Sequence, residues 1–459
     1  MTRKQAYKLT TRLVHGPEHS AKWDFTHHVT PPLSSSTTYR LDSAKRGARG
    51  FQEFGQLVTD SGEPPVYIYD RLDEPTRSIL EGELADMEQG DACVSFASGM
   101  AAISAALGAT LTTGDEVIAH PVLYGCTHSL LTRWYPRLGF HVQRVDMNDV
   151  AALRRAISER TRVLYFESPV NPSLELIDIA ALRTLVDGIN RTRPAQRKLL
   201  IFIDNTFATP FAQRPLTLGA DVVLHSLTKN LGGFGTELGG AVICPKAMHA
   251  SLLLYRKDFG GILGSKAAWA ILVYGLPTLV LRIKRQQHAA KKVAAWLEKQ
   301  ECVARVVYPG LPSFAQRELA ERQLRDFDGD FAPGNMLYFE LDPARVEAEA
   351  FIDEIARSAY SVTLAVSLGH TKTLVELPAS MTHSAYGKSD GGVRLSIGLE
   401  SPSDIIADLK NALSAVAKPL TNGAPKKQSP VSSANSRARA RRSAGAGRPG
   451  GDGSLRPRP

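Results

Sequence analysis

A short apolar strand that leads into a lysine and then a glycine-rich loop constrains this chain more than any other feature. The segment Asp221–Gly240 begins with the apolar run Val222–Leu224, continues to Lys229, and then holds five glycines. Such an apolar run predicts a buried strand. Glycines allow positive φ angles and let the backbone approach a ligand closely. Lys229 is therefore predicted to lie between a strand end and a ligand-binding loop, beside the hydroxyls of Ser226 and Thr228.

Two nucleotide-binding motifs can be excluded for this segment. The pattern G-x-x-x-x-G-K-[ST] needs glycines before the lysine, and here they follow it. The pattern G-x-G-x-x-G fails because Leu238 occupies the third glycine position after Gly233 and Gly235. Two interpretations remain open: a structural turn, or a lysine that uses its amine as a Schiff-base group next to an anion site.

A second strand end supplies a carboxylate. The apolar run Leu199–Ile203 is typical of a parallel strand buried on both faces, and it ends at Asp204. Ligands of parallel α/β sheets bind at this carboxyl edge. Asp204 could pair with a protonated pyridine nitrogen, an interaction of roughly 4 kcal/mol at an intermediate dielectric. It could equally cap a helix.

These residues resemble a known family. Asp204-Asn-Thr-Phe together with Ser226-x-Thr-Lys229 is similar to the Cys/Met-metabolism family of pyridoxal phosphate enzymes, and the similarity extends from about Pro31 to Leu413. The resemblance implies an α/β fold like that of the aspartate aminotransferases (fold type I). Such a fold has a mostly parallel sheet in a large domain and a smaller α/β domain at the C-terminus. The implied cofactor is pyridoxal 5'-phosphate.

The resemblance also implies roles for individual residues. Lys229 and Tyr124 would be catalytic, and the substrate would contact Cys126, Asn171, Ser367 and Arg394. The residues implied in cofactor binding are Tyr69, Arg71, Ser98, Gly99, Met100, Tyr124, Asn171, Asp204, Ser226, Thr228 and Lys229. Of these, Tyr69 and Arg71 would reach the cofactor phosphate of a neighbouring subunit. Arg394 lies mid-strand among apolar residues, so we expect it to have an anionic partner, either a structural salt bridge or the substrate carboxylate.

One position departs from the family pattern. Tyr69–Thr76 resembles Y-x-R-x-x-N-P-T, but Glu74 replaces the usual asparagine. This difference concerns the local loop geometry more than the phosphate contact.

The pattern predicts four regions along the chain. Residues 1–65 form an N-terminal arm, 66–264 the large cofactor-binding domain, 265–418 the small C-terminal domain, and 419–459 a disordered basic tail. Largely helical sequence after Ala267 forms the bridge between the domains, with a break at Gly275-Leu-Pro277. Strands of the small domain are expected at 336–341, 363–367 and 393–398.

The net charge of +9 is concentrated in the tail. From Pro419 onward there are nine basic residues and one acidic residue, so the tail contributes +8 and the rest of the chain +1. Such an arm could contact nucleic acid nonspecifically, although it lacks interleaved aromatic residues, and a solvated extension is the favoured interpretation.

Composition favours a cytoplasmic protein. The four cysteines are scattered without C-x-x-C spacing, no signal peptide is evident, and we find no apolar run that would span a bilayer. We expect no metal site, since His27-His28 lacks further ligands at suitable spacing. The family resemblance implies a homodimer or homotetramer with shared active sites.

The implied reaction acts on a sulfur amino acid or a homoserine ester. Cys126, Lys257-Asp258 and the segment 380–386 resemble the γ-lyases, which eliminate a γ-substituent, whereas 235–240 resembles the sulfhydrylases, which replace it. We favour elimination and keep γ-replacement as the alternative. A cofactor-fold protein that has lost its chemistry and serves as a binding module is disfavoured, because every expected chemical residue is present.

Overall fold

The computed structural model describes residues 7–15, 27–54, 66–378, 380–381 and 391–418. The strands in these ranges are β1 (Ala92–Phe96), β2 (Glu116–Ala119), β3 (His141–Arg144), β4 (Thr161–Glu167), β5 (Leu200–Asp204), β6 (Val222–Ser226), β7 (Gly240–Cys244), β8 (Val303–Val307), β9 (Met336–Leu341), β10 (Val362–Leu364), β11 (Thr373–Glu376) and β12 (Gly392–Ser396). The helices are α1 (Leu9–His15), α2 (Ala44–Gln52), α3 (Pro75–Glu88), α4 (Gly99–Gly108), α5 (Gly125–Ser129), α6 (Val150–Ala156), α7 (Ile179–Asn190), α8 (Thr209–Ala212), α9 (Lys246–Phe259), α10 (Ser265–Ala270), α11 (Leu276–Leu297), α12 (Arg317–Gln323), α13 (Ala348–Ser358) and α14 (Pro402–Val416).

The larger sheet joins seven of the described strands in the order β1-β7-β6-β5-β4-β2-β3. The strands from β6 to β3 run parallel, and β7 is antiparallel to both of its neighbours. Helices pack on both faces of this sheet, as its buried apolar strands require. The predicted fold class, with a mostly parallel sheet, is therefore confirmed.

Alternation within β5 shows how the two faces are filled. Ile201 and Ile203 belong to the core on the α3 and α7 side, whereas Phe202 belongs to the core on the α4 and α9 side. All seven residues of β4 are buried. Burial on both faces leaves the carboxyl ends of the strands as the part of the sheet where polar side chains can emerge.

The smaller sheet has the order β10-β11-β12-β9-β8 and its own apolar core with α13 and α14. The pair β10 and β11 is parallel, and the remaining pairs are antiparallel. Strands β9 and β12 lie where the sequence predicts them. Strand β10 ends at Leu364, short of the predicted 367, and the pattern did not reveal β8 or β11.

One helical run connects the two cores. Helices α10 and α11 join through a π-helical turn, Ile271–Gly275, so the predicted break at Gly275-Leu-Pro277 does not occur. Pro277 is tolerated because it lies within the first two positions of α11, where its missing N–H matters least.

The same run, Ser265–Leu297, contains a window that is long and apolar enough to cross a membrane by composition, contrary to our expectation. Part of the run is buried in the protein interior, while Tyr274 and Leu281 are exposed. Leu276 and Leu279 pack under the large sheet, and Val293 and Leu297 pack under the small one.

Helices form inside the predicted N-terminal arm. Helix α1 buries Leu9 and Leu13 in the core of the large sheet, and α2 begins at an N-cap, Ser43. The predicted basic tail, 419–459, lies outside the described residues, as do 382–386 of the segment 380–386. The domain boundaries remain a prediction.

Candidate active site

A cavity of about 320 Å³ opens at the carboxyl ends of β4, β5 and β6. Side chains from both sheets and from the start of α4 form its wall. The lining residues are Ser98, Gly99, Met100, Ile103, Tyr124, Glu167, Pro169, Asn171, Asp204, Thr206, Phe207, Ser226, Thr228, Lys229, Leu238, Val366, Ser367, Leu368 and Arg394.

Lys229 lies in the turn that follows β6. The backbone N–H of Gly233 donates to the Lys229 carbonyl at 2.8 Å, and positive φ angles at Gly233 and Gly235 turn the chain back. The amine Nζ lies 2.5 Å from Ser367 Oγ. Burial, and secondly the positive charge of Arg394, lowers the pKa of Lys229 to about 8. A larger fraction of this amine than of an ordinary lysine is therefore neutral near physiological pH and can act as a nucleophile or base.

Asp204 ends β5, directly beside Glu167 at the end of β4. The Asp204 carboxylate accepts a hydrogen bond from the Thr206 backbone N–H at 3.0 Å. Burial raises the pKa of Asp204, and the positive charges of His225 and Lys229 lower it. A cationic group in the cavity would offset the cost of keeping this carboxylate ionised.

Glu167 is a pocket residue to which the sequence analysis gave no role. Its Oε1 accepts the Tyr124 backbone N–H at 2.6 Å, so it fixes the start of α5. Burial, followed by the Asp204 charge, raises the pKa of Glu167 to about 8. Burial and the neighbouring carboxylate thus both favour the protonated form of Glu167.

An anion cradle lies on the other side of the cavity. Ser98 caps α4, its Oγ accepting the Ala101 N–H at 3.1 Å, and the helix start faces the cavity at Gly99 and Met100. A Cβ on Gly99 would lie 3.0 Å from the Ser226 Cβ, so glycine allows the helix to approach β6 this closely. Helix N-termini bind phosphate and carboxylate groups through their free N–H groups. Thr228 adds a second hydroxyl next to that of Ser226.

Arg394 reaches the cavity from β12, and only 3% of its surface is exposed. Its Nη1 donates to Asn171 Oδ1 at 2.8 Å, and its Nη2 donates to the Ser367 carbonyl at 2.9 Å. Ser367 has a φ of 91°, an uncommon value for a residue with a side chain, and this shape turns both its carbonyl and its hydroxyl toward the site. The expected anionic partner of Arg394 is present within the chain: Glu376 Oε2 lies 3.0 Å from Nη2.

Tyr124 and Cys126 stand at the rim. Tyr124 lines the cavity and is partly exposed, and the Cys126 thiol donates to its Oη at 3.4 Å. Burial, and secondly the contact with Cys126, raises the pKa of Tyr124 above its usual range, so the phenol keeps its proton. Cys126 itself is exposed and is not among the residues that line the cavity.

Tyr69 and Arg71 also lie outside the cavity formed by the described residues of their own chain. Arg71 Nη1 donates to the Lys257 carbonyl, and its guanidinium stacks over the Tyr69 ring at 5.4 Å. Glu74, which departs from the family pattern, caps α3 by accepting the N–H groups of Thr76 and Arg77. An N-cap acceptor is therefore retained although asparagine is absent.

The cavity wall suits pyridoxal phosphate. It offers an amine with a lowered pKa, a buried carboxylate for a pyridinium nitrogen, and an anion cradle where Gly99 leaves little room for a side chain. These groups at the carboxyl edge of a mostly parallel sheet define a pyridoxal-phosphate-dependent enzyme of fold type I.

The chain belongs to the family described as Cys/Met metabolism PLP-dependent enzyme, whose profile matches residues 10–414. Its cofactor is accordingly pyridoxal 5'-phosphate, and the resemblance stated from the sequence is confirmed.

Named relatives and solved structures agree with this assignment. An L-methionine gamma-lyase of Fusobacterium nucleatum subsp. polymorphum is 39% identical over 395 residues, covering 84% of this chain and 93% of the relative. A cystathionine beta-lyase of Lactococcus lactis subsp. cremoris is 33% identical, covering 88% and 98%. The structure of a cystathionine gamma-lyase from Lactobacillus plantarum complexed with L-serine has a TM-score of 0.77 and 32% identity, and covers 90% of this chain and 100% of that one.

Proposed function

We propose that this enzyme eliminates the γ-substituent of a sulfur amino acid, releasing a thiol, a four-carbon 2-oxo acid and ammonia with the uptake of one water. The proposal rests most directly on the contacts of Ser367. Its Oγ lies 2.5 Å from the Lys229 amine, and its carbonyl accepts from Arg394 at 2.9 Å. An amino acid whose carboxylate binds Arg394 would therefore present its Cα to the amine of Lys229.

The binding roles follow from the positions of the lining residues. Asp204 would hold the pyridine nitrogen, and the start of α4 with Ser226 and Thr228 would hold the phosphate. Tyr124 would contact the ring and Asn171 its phenolic oxygen. When bound, the cofactor supplies an electron sink that stabilises negative charge at the substrate Cα.

Lys229 would carry the protons. Its neutral amine would remove the proton from Cα, release it again, and then remove one from Cβ. The Cγ–S bond would break as the leaving sulfur takes a proton from the resulting ammonium. Tyr124, whose phenol remains protonated, would donate a hydrogen bond at the rim of the site. Arg394 fixes the carboxylate so that the reacting atoms stay in place.

A shared active site would explain the positions of Tyr69 and Arg71. Neither lines the cavity of its own chain, and both are exposed. Apolar side chains also stand exposed on this chain, among them Leu238 at 66%, which lines the cavity, and Phe259 at 75%. We propose that a second copy covers this surface in a homodimer or homotetramer, with Tyr69 and Arg71 of each copy completing the phosphate site of the other. We also place the enzyme in the cytoplasm and the domain boundary at residues 264–265, between the two sheets.

γ-Replacement on a homoserine ester is the alternative function. The glycine-rich segment 235–240 favours it, because it resembles the sulfhydrylases more than the γ-lyases. Both reactions would use the same lysine. They differ in whether another molecule replaces the leaving group at Cγ.

Product analysis with the purified holoenzyme tests the proposal. Methionine, cystathionine, homocysteine and acylhomoserines would each be supplied with and without sulfide. Formation of 2-oxo acid and ammonia from a thioether without added thiol is expected. If the thioethers are inert, while an acylhomoserine and sulfide give homocysteine, the replacement reaction is the correct one.

A further inference from the structure

Arg394, the proposed binding group for the substrate carboxylate, already has a counter-ion within the chain. Strands β11 and β12 are antiparallel, and their register places Glu376 directly opposite Arg394. The two side chains are 1% and 3% exposed, and Nη2 and Oε2 lie 3.0 Å apart. This pair joins the two strands without solvent between them.

Glu376 contacts the guanidinium from outside the cavity. Arg394 is among the residues that line the cavity, whereas Glu376 is not. A substrate carboxylate would therefore meet the guanidinium on its open side and leave the ion pair with Glu376 in place. One arginine would then face two carboxylates, which repel each other across it.

The electrostatic surroundings include two further groups. Arg394 lowers the pKa of Lys229 while Glu376 raises it, so the two members of the pair act on the catalytic amine in opposite directions. Glu167 also faces Arg394, but burial raises its pKa to about 8 and so favours its neutral form. Glu376 is thus the carboxylate that balances the positive charge of Arg394 on the buried side of the guanidinium.

Stability alone gives a weak reason for such a pair. A buried ion pair often contributes no more to stability than apolar residues of the same volume, because both charges must leave water. A role in binding substrate and product gives a better reason for this ion pair. Substrate and product of the proposed reaction both carry a carboxylate, and affinity that is equal for both states gains no rate.

We propose that Glu376 is a positioning residue that aims Arg394 into the cavity and weakens its attraction for carboxylates. This inference rests on the proposed role of Arg394 as the α-carboxylate site. Glu376 keeps the guanidinium balanced when the site is empty and lets the 2-oxo acid leave after the reaction.

The test uses Glu376→Gln in the holoenzyme. Glutamine has nearly the same size and keeps a polar oxygen at this place, so the change removes mainly the charge. Butanoate, which has a carboxylate but no amine, serves as the probe. Its dissociation constant is expected to fall about tenfold, the scale expected when one like charge within a few ångströms is removed. The KM for the amino-acid substrate is expected to fall with it, while kcat does not rise.

Two further variants separate the possible outcomes. Arg394→Gln is expected to abolish butanoate binding, and if it does not, the proposed carboxylate site is wrong. Asp221→Asn breaks an ion pair with Arg183 at 3.2 Å at the opposite end of β6, and it is expected to leave butanoate affinity unchanged. If Arg394→Gln abolishes binding but Glu376→Gln leaves the affinity unchanged or weaker, the inference about Glu376 is overturned.

Loss of the folded protein would not end the test. If Glu376→Gln does not fold, Glu376→Asp keeps the charge but withdraws it by one methylene. A smaller tightening of butanoate is then expected, and an unchanged or weaker affinity would again contradict the proposal.

Discussion

Lys229, Asp204 and Arg394 are held within one chain by buried neighbours, whereas Tyr69 and Arg71 lie on the surface of that chain. Lys229 and Asp204 lie at strand ends, and Arg394 projects from the middle of β12; contacts such as that between Lys229 and Ser367 fix the group. In the second group, Arg71 donates to the Lys257 carbonyl, and neither residue lines the cavity. The difference suggests that one chain builds the reaction chemistry completely and leaves part of the phosphate contact to another.

The largest effect is expected from Lys229→Ala. Removing the amine should lower the release of 2-oxo acid by roughly 10⁴-fold, since a general base alone contributes about 10²–10⁴ and this residue is also the candidate Schiff-base lysine of the sequence analysis. The measurement is the rate of 2-oxo acid formation, with borohydride reduction and peptide mapping to locate the labelled lysine in the unmodified enzyme.

Lys291→Ala is the matched control for this variant. Lys291 lies exposed on α11, so its loss should leave both rate and labelling unchanged. Label on a lysine other than Lys229 would contradict the assignment of Lys229 as the lysine that binds the cofactor.

The second prediction addresses the exposed group directly. Arg71→Ala should lower activity by about 100-fold, because a guanidinium–phosphate contact is charge-assisted and bidentate. Mixing this variant with Lys229→Ala should restore about one quarter of the wild-type activity, since half of the dimers are hybrids and each hybrid has one intact site.

Subunit exchange must be shown independently, with a different affinity tag on each variant. If tagged hybrids form and no activity returns, Arg71 acts within its own chain or not at all. The contrast between the two groups would then need another explanation.

Lys229 and Asp204 could be predicted to lie together because parallel strands end at the same edge of a sheet. The apolar runs before Asp204 and Ser226 could be identified from composition, and their carboxyl ends must meet at that edge. Glu167 ends an apolar strand in the same way, so the sequence pattern could have identified it as a residue of the site. By contrast, Glu376 could not be predicted to face Arg394. That contact depends on the register of β11, a strand of only four residues, against β12.

Local backbone shape also escaped prediction. The pattern extended a strand to 367, but Ser367 has a φ of 91° and the strand ends at Leu364. The chain that follows packs closely against the Lys229 turn, since a Cβ on Gly369 would lie 2.7 Å from the Lys229 carbonyl carbon. Such tertiary contacts leave no periodicity in the sequence.

The third prediction concerns the rim between the two groups. Cys126→Ser should change the relative rates for different thioethers by less than about tenfold, the scale of discrimination by one small group. Exchange of the Cα proton should change less, because Lys229 performs that step. Rates for a series of thioethers and deuterium exchange measured by NMR check this prediction. A uniform loss for all substrates would mean that the thiol acts through Tyr124 and not on the substrate sulfur.

The smallest effect is expected at Glu74, which follows the exposed group and caps α3. Burial raises the pKa of Glu74 from 4.5 to about 7. Between these values the folded protein holds a proton that the unfolded chain has lost, so this residue lowers the free energy of unfolding as pH rises from 4.5 to 7. Glu74→Asn keeps a good N-cap acceptor without the buried charge. It should therefore raise the free energy of unfolding by about 1 kcal/mol at pH 8 and leave it nearly unchanged at pH 5, as measured by urea denaturation at the two pH values.

The exposed N-cap Asp149 of α6 supplies the control: Asp149→Asn should show no such pH-dependent gain. If Glu74→Asn destabilises the protein equally at both pH values, the carboxylate is doing more than capping α3, and the turn that displays Arg71 depends on its charge.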